Sequence, residues 1–503
     1  MDRHSTPSVD MPSLLLLTCP SFGVQMLWLV MMAYGTPYLN DLGVSTSASA
    51  MVWLSGPLSG TIAQPLFAAL SDNCQHRWGK RRPFIAGGAI CAALALLGLA
   101  STEDIVGFFT PPDAKGGMAM MMGGPKSSSP MVRLLVIFWA CTLSLAMQPI
   151  QCGLRALLVD SYPERLQSVA AALGTGFSGL GAVCLSGLAS IDLPARTPLF
   201  GETPFKALSV VAVAALACTV IPVCLIGHDL PARTSNRAKA SSLSSILRTM
   251  RTLPPTTRRV CRVQFTAWLG WFALLYYSTT YVFEAYVFEN HVHLKPEVKN
   301  YADGTLIQIG KAAGRRSSFV FASVTLITTI LLLVMIRDSA RKTFTADAWR
   351  LRTGRIWQIS HGFLAALMFL TTFVRTTWAA TMIVGCVAMS WAVTQWAPYA
   401  LICSEVATLR QPTRDLCKLH SSHEGEGGAY DEEDAERQVE HGTALIMAVH
   451  NMAISMPQVL AAVVCSALFK AVSIMGRYDP ATFAFKLAGL MAALASYQAR
   501  SLS

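Results

Sequence analysis

Apolar runs long enough to cross a bilayer recur along the chain, separated by short polar turns. A spanning helix needs about 20 predominantly apolar residues. Twelve runs meet that requirement: 14–36, 48–70, 83–101, 132–158, 166–190, 207–228, 263–286, 317–336, 356–374, 377–403, 443–469 and 480–497. Ser55–Ile85 shows the theme in miniature. It is apolar to Leu70 apart from small hydroxyls and Gln64, polar from Ser71 to Arg82, and apolar again after Pro83. In a membrane only a helix satisfies its own backbone along such a run. The pattern therefore predicts an all-α integral membrane protein of two six-helix halves. The chain divides into a tail 1–13, a first half 14–228, a basic linker 229–262, and a second half 263–503 that contains an acidic loop 404–442. The first run spans a bilayer and lacks a small-residue cleavage site, so it reads as a retained helix and not a leader.

Composition agrees with this pattern. Of 503 residues 53% are hydrophobic and 14% charged, against about 25% charged in soluble domains. The formal net charge of +11 sits mainly in short loops, which fits the positive-inside rule better than a nucleic-acid footprint. With both termini cytoplasmic, the inside loops hold Arg77, Lys80, Arg81 and Arg82, then the basic linker, then Arg337 to Arg355. The loop 37–47 falls outside and has no Lys or Arg. One loop expected outside breaks the rule: 287–316 carries Lys295, Lys299, Lys311, Arg315 and Arg316. Residues 111–130, rich in Gly, Pro, Met and Ser, read as a flexible external loop. Residues 410–442, with HEGEGGAYDEEDAERQ, read as disordered. His420, His423 and His441 lie near those acids, but a solvated loop explains them better than a metal site. The 13 cysteines form no C-x-x-C pair and read as free thiols. No cofactor is expected.

Ionisable residues inside spans are costly and mark pathways. Arg155 lies deep in an apolar run, where it either pairs with Asp160 or Glu284 or donates its planar fork to a ligand's hydroxyls. Glu284 reads as a proton-loading carboxylate or as a helix-end acid. Asp160 and Glu405 read as structural, Glu405 docking with basic loops. Gln25, Gln64, Gln148, Gln151, Gln395, Asn451 and Gln458 are amides within apolar spans. They can donate to and accept from hydroxyls, or simply bond helix to helix. Asp72 with Arg77, Arg81 and Arg82 reads as a conformational latch or as plain topology. GTGFSGLG, with Gly174, Ser178 and Gly181, permits close helix contact by small-xxx-small spacing. No H-E-x-x-H and no Ser–His–Asp grouping argues for an enzyme.

These segments carry a family resemblance. SDNCQHRWGKRRP resembles the loop after the second helix of the major facilitator superfamily. GPLSGTIAQPLFAALSD followed by RWGKRRPFIAGG is similar to the sucrose/glycoside-pentoside-hexuronide type of sugar–proton symporter. GVQMLW with TPYL, LRALLVD, GWFALLYYSTTYVFEAY, WAPYAL and HNMAISMPQ match that type in order through both halves, and the seventh-helix YSTTY is similar to fungal members. The resemblance implies a twelve-helix fold and alternating-access symport of sucrose or maltose-like α-glucosides. It further implies a monomer in the plasma membrane, with the vacuolar membrane as the alternative, and sugar and proton as partners; the placement of charge argues against nucleic acid. Two departures stand out. Plant members place a coupling aspartate where this chain has Ser144, and an acid pair early in the seventh helix where it has Tyr277 to Thr280. An uncoupled facilitator, or a transporter-like sugar sensor using 229–262 and 404–442, therefore stays open.

Overall fold

A computed structural model describes residues 11–72, 74–109, 130–161, 164–191, 203–226, 250–290, 303–341, 346–421, 428–476 and 479–502. Several readings lie outside the described residues: the loop 111–129, the linker up to 249, Lys295, Lys299, His423, and the side chains of Asp72, Asp160, His420 and His441.

Among the described residues each of the twelve apolar runs is a helix and no strand occurs. In the first half α1 is Met11–Asp41. α2 is Thr46–Trp53 and Ser55–Asp72, broken at Leu54. α3 is Arg82–Ala100, α4 Pro130–Ser161, α5 Glu164–Ala189 and α6 Pro204–Ile226. In the second half α7 is Pro255–Glu289, α8 Asp303–Arg341, α9 Ala346–Leu370, α10 Thr377–Ser421, α11 Gly428–Ile474 and α12 Pro480–Ala499.

Eight described segments are long and apolar enough to cross a membrane on that ground alone; α2, α5, α7 and α12 are not among them. In α7 the apolar run is interrupted by Tyr276, Tyr277 and Thr279, all buried inside the protein and not turned outward. On α2 the opposite face shows what a bilayer demands. Leu58, Ile62, Leu66 and Leu70 recur every four residues, each 45% to 59% exposed. Gly56, Gly60 and Ala63 lie on its buried side. A leucine stripe of this size is a liability in water and the ordinary surface of a helix in lipid.

The chain forms two compact units. One comprises Met1–Ala238 with Tyr276–Leu326, the other Lys239–Leu275 with Ile327–Ser503. In the first unit α1 packs on both α5 and α6, and small residues set how closely. A Cβ on Gly23 would lie 2.5 Å from the Leu216 Cα of α6. On the other side the GTGFSGLG run of α5 meets α1. The Ser178 hydroxyl donates to the Ser21 carbonyl at 3.4 Å, and a Cβ on Gly181 would lie 2.6 Å from the Phe22 carbonyl oxygen. The obstacle there is backbone and cannot rotate away. Gly181→Ala is expected to lower the melting temperature of the detergent-solubilised protein, as overpacking costs about 1–3 kcal/mol. Gly176→Ala, on the same helix with nothing within 4 Å, is expected to leave it unchanged or raise it slightly. Equal melting of the two variants would contradict the close contact.

The helices overrun their apolar cores, and this corrects two expectations. The stretch 410–442, read as disordered, is helical over its described residues. α10 continues to Ser421 and α11 begins at Gly428. DEEDAERQ holds the helix formers Glu, Ala, Arg and Gln beside two Asp, and Glu433 precedes Arg437 by the four residues that favour a helix. Likewise Lys311, Arg315 and Arg316 do not lie in an outer loop but in α8, which starts at Asp303. Two of these cations are engaged within the first unit. Lys311 pairs with Asp41 at the end of α1, and Arg315 Nε donates to the Ala189 carbonyl at 3.1 Å. The apparent breach of the charge rule is thus partly a set of helix-borne anchors.

Candidate functional site

Ser144, Gln148, Gln151 and Arg155 recur on α4 at spacings of four, three and four residues, which puts them on one face of the helix. Ser144 is fully buried, its hydroxyl 2.9 Å from that of Ser55 on α2. Gln148 is buried and donates through Nε2 to the Ser144 carbonyl at 3.0 Å. Gln151 is half-buried and Arg155 exposed. The stripe therefore grades from dry to accessible along one helix.

At its dry end the first unit brings in α1, α2 and α7. The Trp53 and Tyr276 rings lie 5.8 Å apart, and Trp53 Nε1 donates to Thr36 Oγ1 at 3.0 Å. Gly35, following a π-helical stretch Val30–Tyr34, leaves room for the indole, which a Cβ there would overlap. A Cβ on Gly56 would stand 3.7 Å from the Tyr276 hydroxyl and 3.9 Å from the Ser144 hydroxyl. Two hydroxyls thus approach α2 at a position that carries no side chain.

Glu284 lies eight residues beyond Tyr276 on α7, about 12 Å along the helix axis. It is 9% exposed, with Tyr281 one turn earlier within its electrostatic reach. α7 continues to Glu289, so Glu284 is an interior carboxylate and not the last acid of the helix. α8 packs closely against this stretch: a Cβ on Gly314 would lie 2.7 Å from the Thr279 carbonyl, and one on Gly310 2.9 Å from the Phe283 ring.

Arg155 differs from its expected place. It forms no ion pair or hydrogen bond among the described residues, Glu284 included. Two residues before it, Gly153 backs onto Ile85 and the Arg81 carbonyl, so Arg155 lies toward the basic-turn end of the unit. The reason is that α4, at 32 residues, is longer than a bilayer requires, and its apolar run does not mark its middle. The other amides are spread out. Gln25 on α1 and Gln64 on α2 are half-buried, as is Asn451 on α11, and Gln395 on α10 is exposed.

At the basic turn, Arg81 is 6% exposed and donates to the Ser71 hydroxyl at 3.0 Å, and that hydroxyl donates to the Lys80 carbonyl at 2.9 Å. Arg82 donates to the Cys224 carbonyl at the end of α6 at 2.8 Å. Arg77 is exposed. Gly79 takes φ +100°, a conformation that favours glycine. Arg81 thus ties the turn to the end of α2, and Arg82 ties the start of α3 to the end of α6.

In the second unit Glu405 does meet the stretch read as the basic linker 229–262, but through neutral groups of a helix start and not through its cations. Its carboxylate accepts from the backbone N–H groups of Thr256 and Thr257 at 2.8 and 2.6 Å and from the Thr257 hydroxyl at 2.7 Å. It caps the first turn of α7, which opens with Pro255 at its start. Sequence reasoning also missed His450, 1% exposed, against the Tyr399 ring at 4.9 Å and 3.5 Å from the Gln264 amide nitrogen. Its neighbour Asn451 drew attention as an amide, although both lie in the same HNMAIS run. Nearby Trp391 packs edge-on against Trp268 and Trp271 at 5.7 and 5.0 Å.

Twelve long helices with lipid-type surfaces, small-residue contacts and polar stripes turned inward are the construction of a membrane transporter. Residues 16–392 match the family model described as MFS/sugar transport protein. The chain belongs to that family. It is 24% identical to a general alpha-glucoside permease of Schizosaccharomyces pombe, over 99% of this chain and 95% of that protein. It is 26% identical to the sucrose transport protein SUC4 of Arabidopsis thaliana over 77% of this chain and 76% of that one. Among solved structures, the xylose transporter XylE from E. coli superposes with a TM-score of 0.54 at 11% identity. That match covers 97% of this chain and 96% of that one and supports the twelve-helix major facilitator fold. The protein is thus an integral membrane transporter of the sugar-transport class.

Proposed function

We propose that the protein carries sucrose or related, maltose-like α-glucosides across the plasma membrane by alternating access, as a monomer and together with a proton. The observation that carries this reading is the likeness to an α-glucoside permease along nearly the whole of both chains. In this reading the polar face of α4, with Gln148, Gln151 and Arg155, offers donors and acceptors to sugar hydroxyls. Gln25, Gln64, Gln395 and Asn451 add further amides, and Glu284 holds the proton. The turn with Asp72, Arg77, Arg81 and Arg82 fastens one end closed. The division into halves 14–228 and 263–503 about 229–262 belongs to the same proposal. A second reading, an uncoupled facilitator, is favoured by Ser144. Its hydroxyl bonds Ser55 and cannot ionise at neutral pH.

The test is uptake of labelled sucrose and maltose by yeast lacking their own disaccharide permeases, at external pH 5 and pH 7, with and without a protonophore. Symport requires uptake that is stimulated by acid and collapsed by the protonophore. Uptake indifferent to both establishes the facilitator. Surface-expressed protein that moves neither sugar overturns the substrate.

A further inference from the structure

The second unit contains a group of buried polar side chains that the transport reading does not use. Thr353, Trp357, Ser360 and His361 follow one another on α9 at spacings of four, three and one, a single face of the helix. Trp357 and His361 are fully buried, Thr353 is 1% exposed and Ser360 9%. The Trp357 and His361 rings lie 5.5 Å apart. α10 follows α9 after a short turn, so the two run antiparallel. Ser390 of α10 donates to the Ser360 carbonyl at 2.9 Å, which fixes the register. Thr394, one turn further on α10 and 1% exposed, therefore comes level with Trp357.

Among the described residues the hydroxyls of Thr353, Ser360 and Thr394, the Trp357 indole N–H and both ring nitrogens of His361 have no hydrogen-bond partner. A buried polar group left without one costs about 1–3 kcal/mol. Six such atoms lie on the two packed helices α9 and α10. Buried water typically makes about three hydrogen bonds to groups of this kind. The donor set also selects the ligand. An indole N–H requires an acceptor, one imidazole nitrogen requires a donor, and the hydroxyls serve either way. Water answers all of these, whereas a cation is refused by the indole and by the lack of any carboxylate.

We propose that α9 and α10 hold a cluster of ordered water bound by Thr353, Trp357, Ser360, His361 and Thr394, and that this water gives His361 a route to exchange protons inside the membrane. The elements packed on α9 leave that role to His361. α10 offers Ser390 and Thr394 with the Cys386 thiol one turn earlier, and α12 offers alanines and Ser496, which bonds the Gln358 carbonyl. Lys486 of α12 is turned over the Phe483 ring at 4.6 Å, and Arg500 beyond it is exposed over Tyr497. Neither the span of α10 up to Ile402 nor α12 contains an Asp or Glu.

Two measurements on the intact protein test this, and neither requires a sugar, so failure of the α-glucoside reading leaves them valid. In hydroxyl-radical footprinting by X-ray radiolysis, bound water generates the radical beside its ligands. Trp357 and His361 should be oxidised at rates within a few-fold of exposed Trp378, while Phe485, equally buried on α12, stays at background. The double change Ser360→Ala, Thr394→Val should cut Trp357 labelling several-fold. In deuterium exchange at the imidazole carbon, His361 should exchange with a sigmoidal dependence on pH, within about tenfold of the exposed His76. Background labelling of Trp357 and His361 would remove the water. Exchange at His361 that is absent or flat with pH would remove the proton route.

Discussion

Glu284→Gln is expected to abolish accumulation of sugar against a gradient while leaving exchange of labelled for unlabelled sugar intact. Glutamine keeps the shape and much of the hydrogen bonding of the carboxyl but cannot release or take up a proton in the physiological range. If the proton that drives transport rides on Glu284, the variant loses its link to the membrane potential. One charge moving through 100 mV contributes about 2.3 kcal/mol, and each 1.4 kcal/mol is about tenfold, so the wild type can sustain roughly fifty-fold accumulation per 100 mV. The variant should fall to about equal concentrations on the two sides. Glu289, five residues on and exposed at the end of α7, is the control, and Glu289→Gln should accumulate sugar as the wild type does. Accumulation that survives Glu284→Gln and still collapses with a protonophore would place the proton elsewhere. The placement of Glu284 favours the predicted loss. It is interior, one turn from Tyr281, on the stretch of α7 where Thr279 donates to the Ala33 carbonyl of α1 at 2.8 Å. A carboxylate so enclosed is stable only if its charge is compensated or its proton retained, and alternation between those states is what coupling requires.

Eight of the helices were legible because a bilayer imposes a length of apolar sequence that few other structures demand, and α2, α5, α7 and α12 were legible as apolar runs interrupted by small or polar residues. That the GTGFSGLG run of α5 permits a close helix contact was legible from its small-residue spacing, but that its partner is α1 was not. Helix ends were not legible. α7 begins at Pro255, α8 at Asp303, and α10 and α11 run 45 and 47 residues, well past their apolar cores. A helix leaving the bilayer keeps its backbone bonds and only changes its surface, so hydropathy ends before the helix does. The same effect misplaced Arg155, read as central because its run is apolar, and hid Lys311 and Arg315, read as loop cations. Of the candidate site, the face shared by Ser144, Gln148, Gln151 and Arg155 is visible as helical spacing alone. The convergence of Gly56, Tyr276 and Ser144 is not, because it joins three helices distant in sequence. Nor does any local pattern announce that Thr353, Trp357, Ser360 and His361 of α9 share a packed helix pair with Thr394 of α10. Hydroxyls and one indole in apolar runs look like ordinary packing until the register of α9 on α10 is known.

Glu405→Ala is expected to destabilise the second unit by several kcal/mol, about 1–3 for each buried donor it strands. The first N–H groups of a helix have no partner within it, and proline at the start of α7 removes one of them at no cost. The next two, of Thr256 and Thr257, are satisfied by the two carboxylate oxygens of Glu405, and the Thr257 hydroxyl adds a third bond. The carboxylate also meets the positive end of the helix dipole. Glu405 is 5% exposed and Thr257 fully buried, so water cannot readily replace the lost acceptor. Leaving buried donors unsatisfied costs about 1–3 kcal/mol each, and with at least two of them stranded the loss should be about 2–5 kcal/mol. Glu405→Gln retains one carbonyl oxygen and should recover roughly half. Thermal melting of the solubilised protein followed by size-exclusion chromatography measures the order: wild type above Glu405→Gln, and Glu405→Ala lowest. An alanine variant that melts with the wild type would mean that the first turn of α7 finds other acceptors and that Glu405 is free for another task. The ordering would instead identify Glu405 as the clamp holding α10 to the start of α7, the helix that, in our reading, carries the proton on Glu284.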